Sequence, residues 1–348
     1  MKKDDDNSLF HGFHSLGELG EFGLIDQIAG LFGRKFEPDA FGIGDDCAVL
    51  PYHKDRSLLV TTDMLIEDRH FRRDWITAED LGYKSLAVNL SDISAMGGRP
   101  EYAFLSIGLA DDIPLEWLEQ FFREAHRLCQ NNGVKLLGGD TTKSPGPLVL
   151  NYTVLGSVAT ENILWRSAAQ PGDRIALLGN VGESGAGLKL LMKNGLNEDR
   201  RYRQLIKTHN RPRLFIEEAQ YLAGFPAVHA MIDLSDGIDS DAGHIARRSG
   251  VGLKIDIERL PIRLVVREVC DEFSWSAEEL ALTAGEDYGI LFTIDEAGLN
   301  QVMKSFEETF GYPFSVIGQV VEDDPDVLYF LQGNPFSLEQ HGFDHFKS

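Results

Sequence analysis

Between Thr77 and Gly98 the apolar residues Leu86, Leu90 and Ile93 recur four and three apart, and the run stops at a glycine pair. That spacing predicts a helix with one packed face, and with Asn89 and Asp92 together on the opposite, polar side. Gly97 and Gly98 are expected to end the helix and to leave room for a ligand beside it. Comparable patterns predict helices over residues 21–32, 114–132, 277–283 and 296–310, with two more following the glycine-rich runs at 179–187 and 233–237. Short apolar or alternating runs predict strands over 57–62, 102–109, 148–158, 174–178, 290–294 and 314–320, with shorter ones leading into Gly138 and Asp233. Strands alternating with helices make this an α/β (α+β) chain. Its 348 residues suffice for two domains. The expected divisions are a flexible leader at 1–16, an N-terminal domain at 17–160 and a C-terminal domain at 161–348.

Composition narrows the partners. Hydrophobic residues make up 43%, which excludes disorder throughout, and the net charge of −22 argues against nucleic acid or an anionic membrane as the main partner. It does not argue against phosphorylated small molecules, because divalent cations can bridge carboxylates to phosphates. Cys47, Cys129 and Cys270 are too widely spaced for a zinc site and suggest reduced thiols. Neither a signal peptide nor an 18-residue apolar run is present, so a cytoplasmic enzyme is expected.

Aspartates beside Gly, Ser or Thr recur at five places: Asp45 and Asp46 in Gly-Ile-Gly-Asp-Asp, Asp63 after Thr61 and Thr62, Asp92, Asp140 in Gly-Gly-Asp-Thr-Thr, and Asp233 with Asp236 around Ser235. Each alone reads as turn or cap chemistry. If several converge, they repel by several kcal/mol at an effective dielectric near 20. Few lysines or arginines lie near them in sequence, so Mg²⁺ is the expected neutralising cation, and several Mg²⁺ ions point to a nucleoside triphosphate. Asp92 is the expected hub. The run Gly179–Gly187 fits neither the P-loop nor the GxGxxG pattern and reads as a turn with a helix start.

Taken together, Gly-Ile-Gly-Asp-Asp, Thr-Thr-Asp, the seven-residue step to His70, Asn89–Gly98, Gly-Gly-Asp-Thr-Thr, Arg166-Ser167, Ile232–Gly237, Gly285–Tyr288 and the terminal Gly342–Phe346 resemble, in order and spacing, the thiamine-monophosphate kinase family. The likeness runs from about Gly20 to Phe346. It implies transfer of the ATP γ-phosphoryl to thiamine monophosphate, a homodimer whose N-terminal strands form a barrel, and a layered C-terminal domain completing the site. By the same resemblance, Asp46, Thr61, Thr62, Asp63, Asp92, Asp140, Asp233 and Asp236 are metal ligands. Gly139, Asp140, Arg166 and Ser235 contact ATP, and His70, Glu286 and Phe343 contact the thiamine phosphate. The family often has Tyr or Trp where Phe343 stands, and an aromatic near Asn132. No protein general base is expected. Asn89 is expected to orient Asp92. Other readings are a different ATP enzyme of the aminoimidazole-ribonucleotide synthetase-like superfamily, or a non-catalytic nucleotide- or Mg²⁺-binding module.

Overall fold

Burial along residues 57–65 alternates, with Ser57, Leu59, Thr61 and Leu65 facing inward and Thr62 and Met64 outward, the mark of a sheet covered on one side only. The computed structural model describes residues 15–36, 38–196 and 199–338. Most of the expected leader, and Phe343, lie outside these.

The first half contains α1 (Leu16–Phe32), β1 (Lys35–Phe36), β2 (Ala40–Phe41), β3 (Ala48–His53), β4 (Arg56–Ile66), α2 (Ala78–Ala95), β5 (Arg99–Leu109), α3 (Leu115–Asn132), β6 (Lys135–Lys143) and β7 (Val149–Ala159). Its sheet runs β1-β2-β3-β4-β7-β5-β6; only β5 and β6 pair in parallel, joined through α3. The second half contains β8 (Arg174–Leu178), α4 (Glu183–Asn194), α5 (Arg200–Asn210), α6 (Ile216–Ala223), β9 (Val228–Asp233), α7 (Ile238–Ser249), β10 (Gly252–Asp256), α8 (Leu264–Phe273), α9 (Ala277–Thr283), β11 (Ile290–Ile294), α10 (Glu296–Phe310), β12 (Ser315–Val321), β13 (Val327–Leu331) and β14 (Asn334–Phe336). Its sheet runs β14-β13-β10-β12-β8-β11-β9. In β8, Ile175 and Leu177 enter one core while Ala176 and Leu178 enter another. Burial on both faces explains why that strand reads as a continuous apolar run.

Two strands are longer than their sequence suggests. The apolar run ends at Thr62, yet β4 continues to Ile66 because all eleven residues pair with β7, from Arg56 opposite Ala159 to Ile66 opposite Val149. Asp63 therefore lies inside a strand. Likewise β6 runs through Gly138 and Asp140, held by β5.

The helix at the centre also differs from expectation. Instead of one packed face, α2 buries Lys84, Ser85, Asn89, Ser91 and Ser94 along with its leucines. The first sheet covers one side; α3, α6 and β9 cover the others. A Cβ on Gly82 would sit 2.2 Å from the Phe121 carbonyl oxygen, so glycine is what lets α2 and α3 cross so closely. Gly97 and Gly98 are packed against Ala223 and against Leu59 and Ile93 respectively. The smallness of Gly97 serves the contact with α6 and that of Gly98 the packing of the α2 end on β4, so protein atoms fill the space beside them. No helix among the described residues is long and apolar enough to cross a membrane, and the three cysteines are buried free thiols.

Candidate active site

Three elements meet at a carboxylate cluster. The loop after β2 brings Asp46, α2 brings Asp92 and the end of β9 brings Asp233, with one carboxylate oxygen of each within 4.8 Å of the others. Each is aimed by a neighbour. The Thr61 hydroxyl donates to Asp92 Oδ2 at 2.6 Å, and the Ser91 hydroxyl donates to Asp233 Oδ2 at 2.5 Å. Arg166 pairs with Asp46 and, through Nε at 3.2 Å, with Asp45. This cation was not evident from sequence distance, since it lies 120 residues from Asp46. It partly neutralises the cluster.

The remaining charge is felt strongly. Burial and the neighbouring Asp63, Asp233 and Asp46 push the Asp92 carboxyl well above its usual range. Burial and Asp233 push Asp63 to about 6. Burial, then Glu21, Asp233 and Asp63, push Asp236 to about 7. Asp46 Oδ2 is buried with no hydrogen-bond partner among the described residues. An orphaned carboxylate oxygen facing two more carboxylates fits a hard divalent cation.

A cavity of about 650 Å³ opens beside the cluster. Asp63, Asp92, Ser235, Asp236, His70 and Glu286 all line it, so the structure gathers these sequence-selected residues at one place. His70 Nδ1 accepts the Ile66 N–H at 2.9 Å, which puts the proton of a neutral ring on Nε2.

Other sequence-selected residues lie elsewhere. Thr62 points to the opposite face from Thr61 and Asp63, and its hydroxyl donates to the Tyr152 carbonyl at 3.0 Å. Asp63, Tyr152, Leu105 and Gly139 form one row across β4, β7, β5 and β6. Three strand spacings therefore place Gly139 roughly 14 Å from Asp63. Asp140, one residue on, shares the exposed outer face with Met64 and Asn151. Neither joins this chain's own cluster. Asn89 does not hold Asp92: its Oδ1 accepts the Asp63 N–H at 3.0 Å and its Nδ2 donates to Ser85 O, fixing β4 against α2. Asn132 donates to the Leu128 carbonyl in its own helix.

Sequence reasoning missed Lys84 and His209, both buried at the cavity wall. One signal was available: Lys84, Val88 and Asp92 repeat every four residues and share a helix face.

The fold and the cluster define the class first. Family models of the AIR synthase related protein match residues 44–158 (N-terminal domain) and 170–330 (C-terminal domain). The chain is thus a two-domain AIR synthase related protein. It is 38% identical over 332 residues to thiamine-monophosphate kinase of Escherichia coli K12, covering 94% of this chain and 98% of that one. It is 34% identical to the Aquifex aeolicus thiamine-monophosphate kinase, covering 95% and 99%. A solved structure, AaThiL complexed with AMPPCP and TMP, superposes with a TM-score of 0.82 at 33% identity, covering 96% and 99%. The chain belongs to the thiamine-monophosphate kinase family.

Proposed function

We propose that this protein transfers the γ-phosphoryl of ATP to thiamine monophosphate, giving thiamine diphosphate and ADP. The observation that carries the reading is the convergence of Asp46, Asp92 and Asp233, one oxygen of them orphaned, beside a cavity lined by His70 and Glu286. The full-length likeness to thiamine-monophosphate kinases supports it.

The chemistry asks little of a protein base. A phosphomonoester has a second pKa near 6, so the acceptor oxygen is already anionic at pH 7. The obstacle is bringing two polyanions together in line. Mg²⁺, when bound, would supply the charge neutralisation that lets them approach. Asp46, Asp92 and Asp233, with Asp63, Asp236 and Thr61 around them, are the residues to hold it. Thr61 and Ser91 keep the carboxylates aimed. Ser235, which lines the cavity, and Arg166, which pairs with Asp46, are the candidates to meet the nucleotide's phosphates. Glu286 balances the cationic or N–H-donating heterocycle of the acceptor, and His70 offers Nε2–H to an oxygen or ring-nitrogen acceptor of the same substrate. Phosphate attacks phosphate directly, so stereochemistry at a chiral γ-phosphorus should invert; retention would mean a phosphoenzyme.

A homodimer follows from the same reading. The outer face of the first sheet exposes Leu50, Met64 and Phe104, and the edge strand β6 is exposed along its whole length, Leu136 and Leu137 included. An apolar face beside an unpaired edge is a self-association surface. It carries Gly139 and Asp140, so their nucleotide contacts would arise in the interface between copies. The decisive experiment incubates the protein with ATP, Mg²⁺ and thiamine monophosphate and looks for thiamine diphosphate. ATP hydrolysis without that product would overturn the reading.

A further inference from the structure

Lys84 is among the largest fully buried side chains, at 1% exposure. A buried ammonium costs several kcal/mol unless it is paired and hydrogen-bonded, and apolar residues of similar volume could fill the space. Its partners are therefore informative. Nζ lies 3.0 Å from Glu286 Oε1 and 3.5 Å from His209 Nε2. His209 Nδ1 in turn lies 3.3 Å from Glu286 Oε2 and 2.9 Å from the Ser184 hydroxyl.

Proton placement follows from these contacts. An ammonium only donates, so Nε2 of His209 accepts and the proton of the neutral ring sits on Nδ1. That N–H donates to the Ser184 hydroxyl at 2.9 Å, and the ring so held lies against Glu286 Oε2 at 3.3 Å. Lys84 thus holds Oε1 directly, and by holding the His209 ring it sets the group that lies against Oε2. The Glu286 backbone is clamped as well: it sits at φ 65, and its N–H donates to the Ser235 carbonyl at 2.8 Å. Yet its side chain is 26% exposed, and it lines the cavity. This carboxylate is held from behind and open in front.

We propose that Lys84, acting with His209, is a positioning residue that sets the orientation of the Glu286 carboxylate toward the acceptor's cationic or N–H-donating heterocycle. Lys84 does not touch the substrate. The inference rests on the thiamine monophosphate kinase reading, and it adds a determinant of acceptor specificity from the first half of the chain for a carboxylate in the second.

The test measures KM for thiamine monophosphate, KM for ATP and kcat in the full-length enzyme and in Lys84→Met, Glu286→Gln and the double variant. Loss of acceptor binding shared by ground and transition states raises KM and spares kcat. Lys84→Met is expected to raise KM for thiamine monophosphate at least tenfold, with KM for ATP and kcat within about threefold. The double variant is expected to match Glu286→Gln, because Lys84 acts only through that carboxylate. An unchanged acceptor KM in folded Lys84→Met overturns the proposal, and so does a double variant whose effect is the product of the single ones. Should Lys84→Met fail to fold, the double variant, which buries no lone charge, still decides by its comparison with Glu286→Gln. A parent enzyme that makes no thiamine diphosphate defeats the kinase reading and this inference with it. An active parent with an indifferent Lys84 defeats this inference alone.

Discussion

Asp92→Asn separates the two demands placed on the carboxylate cluster. Asparagine keeps an oxygen to accept the Thr61 hydroxyl but removes one of three charges. Two charges no more than 4.8 Å apart repel by at least about 3.5 kcal/mol at an effective dielectric near 20. Proton uptake by the cluster relieves part of this, leaving a gain on the order of 1–2 kcal/mol for the variant at pH 8. For a chain of this size that is a rise of a few degrees in Tm in EDTA. Catalysis moves the other way, with a loss of at least about 100-fold, the scale for one missing electrostatic contact to a developing charge. The assay is thermal melting in EDTA and across a Mg²⁺ titration, paired with thiamine diphosphate formation. The parent should gain stability from Mg²⁺ and the variant much less. A variant that melts below the parent in EDTA and keeps the full Mg²⁺ gain would refute the reasoning, making Asp92 an ordinary structural acceptor for Thr61.

Stability without cations should depend on pH in a defined direction. Asp63 and Asp236 stand at about 6 and about 7 against an ordinary value of 3.8, so the folded state binds the extra protons; their contribution is full below about pH 4 and is lost as pH rises through 6 to 7. Tm in EDTA should therefore fall between pH 5.5 and 7.5 and flatten with Mg²⁺; a rise over that range contradicts the assignment. Gly82→Ala should cost about 3 kcal/mol, at the upper end of overpacking effects, because its Cβ would lie 2.2 Å from the Phe121 carbonyl oxygen; urea unfolding measures it. Met64→Glu, placed on the exposed outer face of the first sheet, should shift light-scattering mass from dimer to monomer.

Periodicity located the elements whose burial it encodes. β8, α9, β11 and α10 lie where apolar spacing predicts them, since each is buried in a regular pattern. Ends were less legible: β4 and β6 are extended by pairing with β7 and β5, and pairing leaves no local trace in Thr-Thr-Asp or Gly-Gly-Asp. The polar helix α5, whose Arg200, Arg201, Arg203 and Lys207 are all exposed, hid the buried His209, which only its partners explain. In the site, order and spacing of motifs revealed Asp46, Asp92 and Asp233. What they could not reveal was the face of a strand on which Thr62 and Asp140 stand, or a salt bridge such as Arg166 with Asp46, formed between distant segments.

The contacts that straddle the two halves also bear on how substrates enter. Ser91 with Asp233, Lys84 with Glu286 and Arg166 with Asp46 each tie the first half to the second or to the segment joining them. A hinge opening between the halves would break the first two ties together and strip α2 of the cover supplied by β9 and α6. Access by wholesale domain parting is therefore costly. A shift of the short segment carrying Asp68, Arg69 and His70, which lines the cavity, breaks none of these ties. The same ties fix the spacing between the two walls of the cleft.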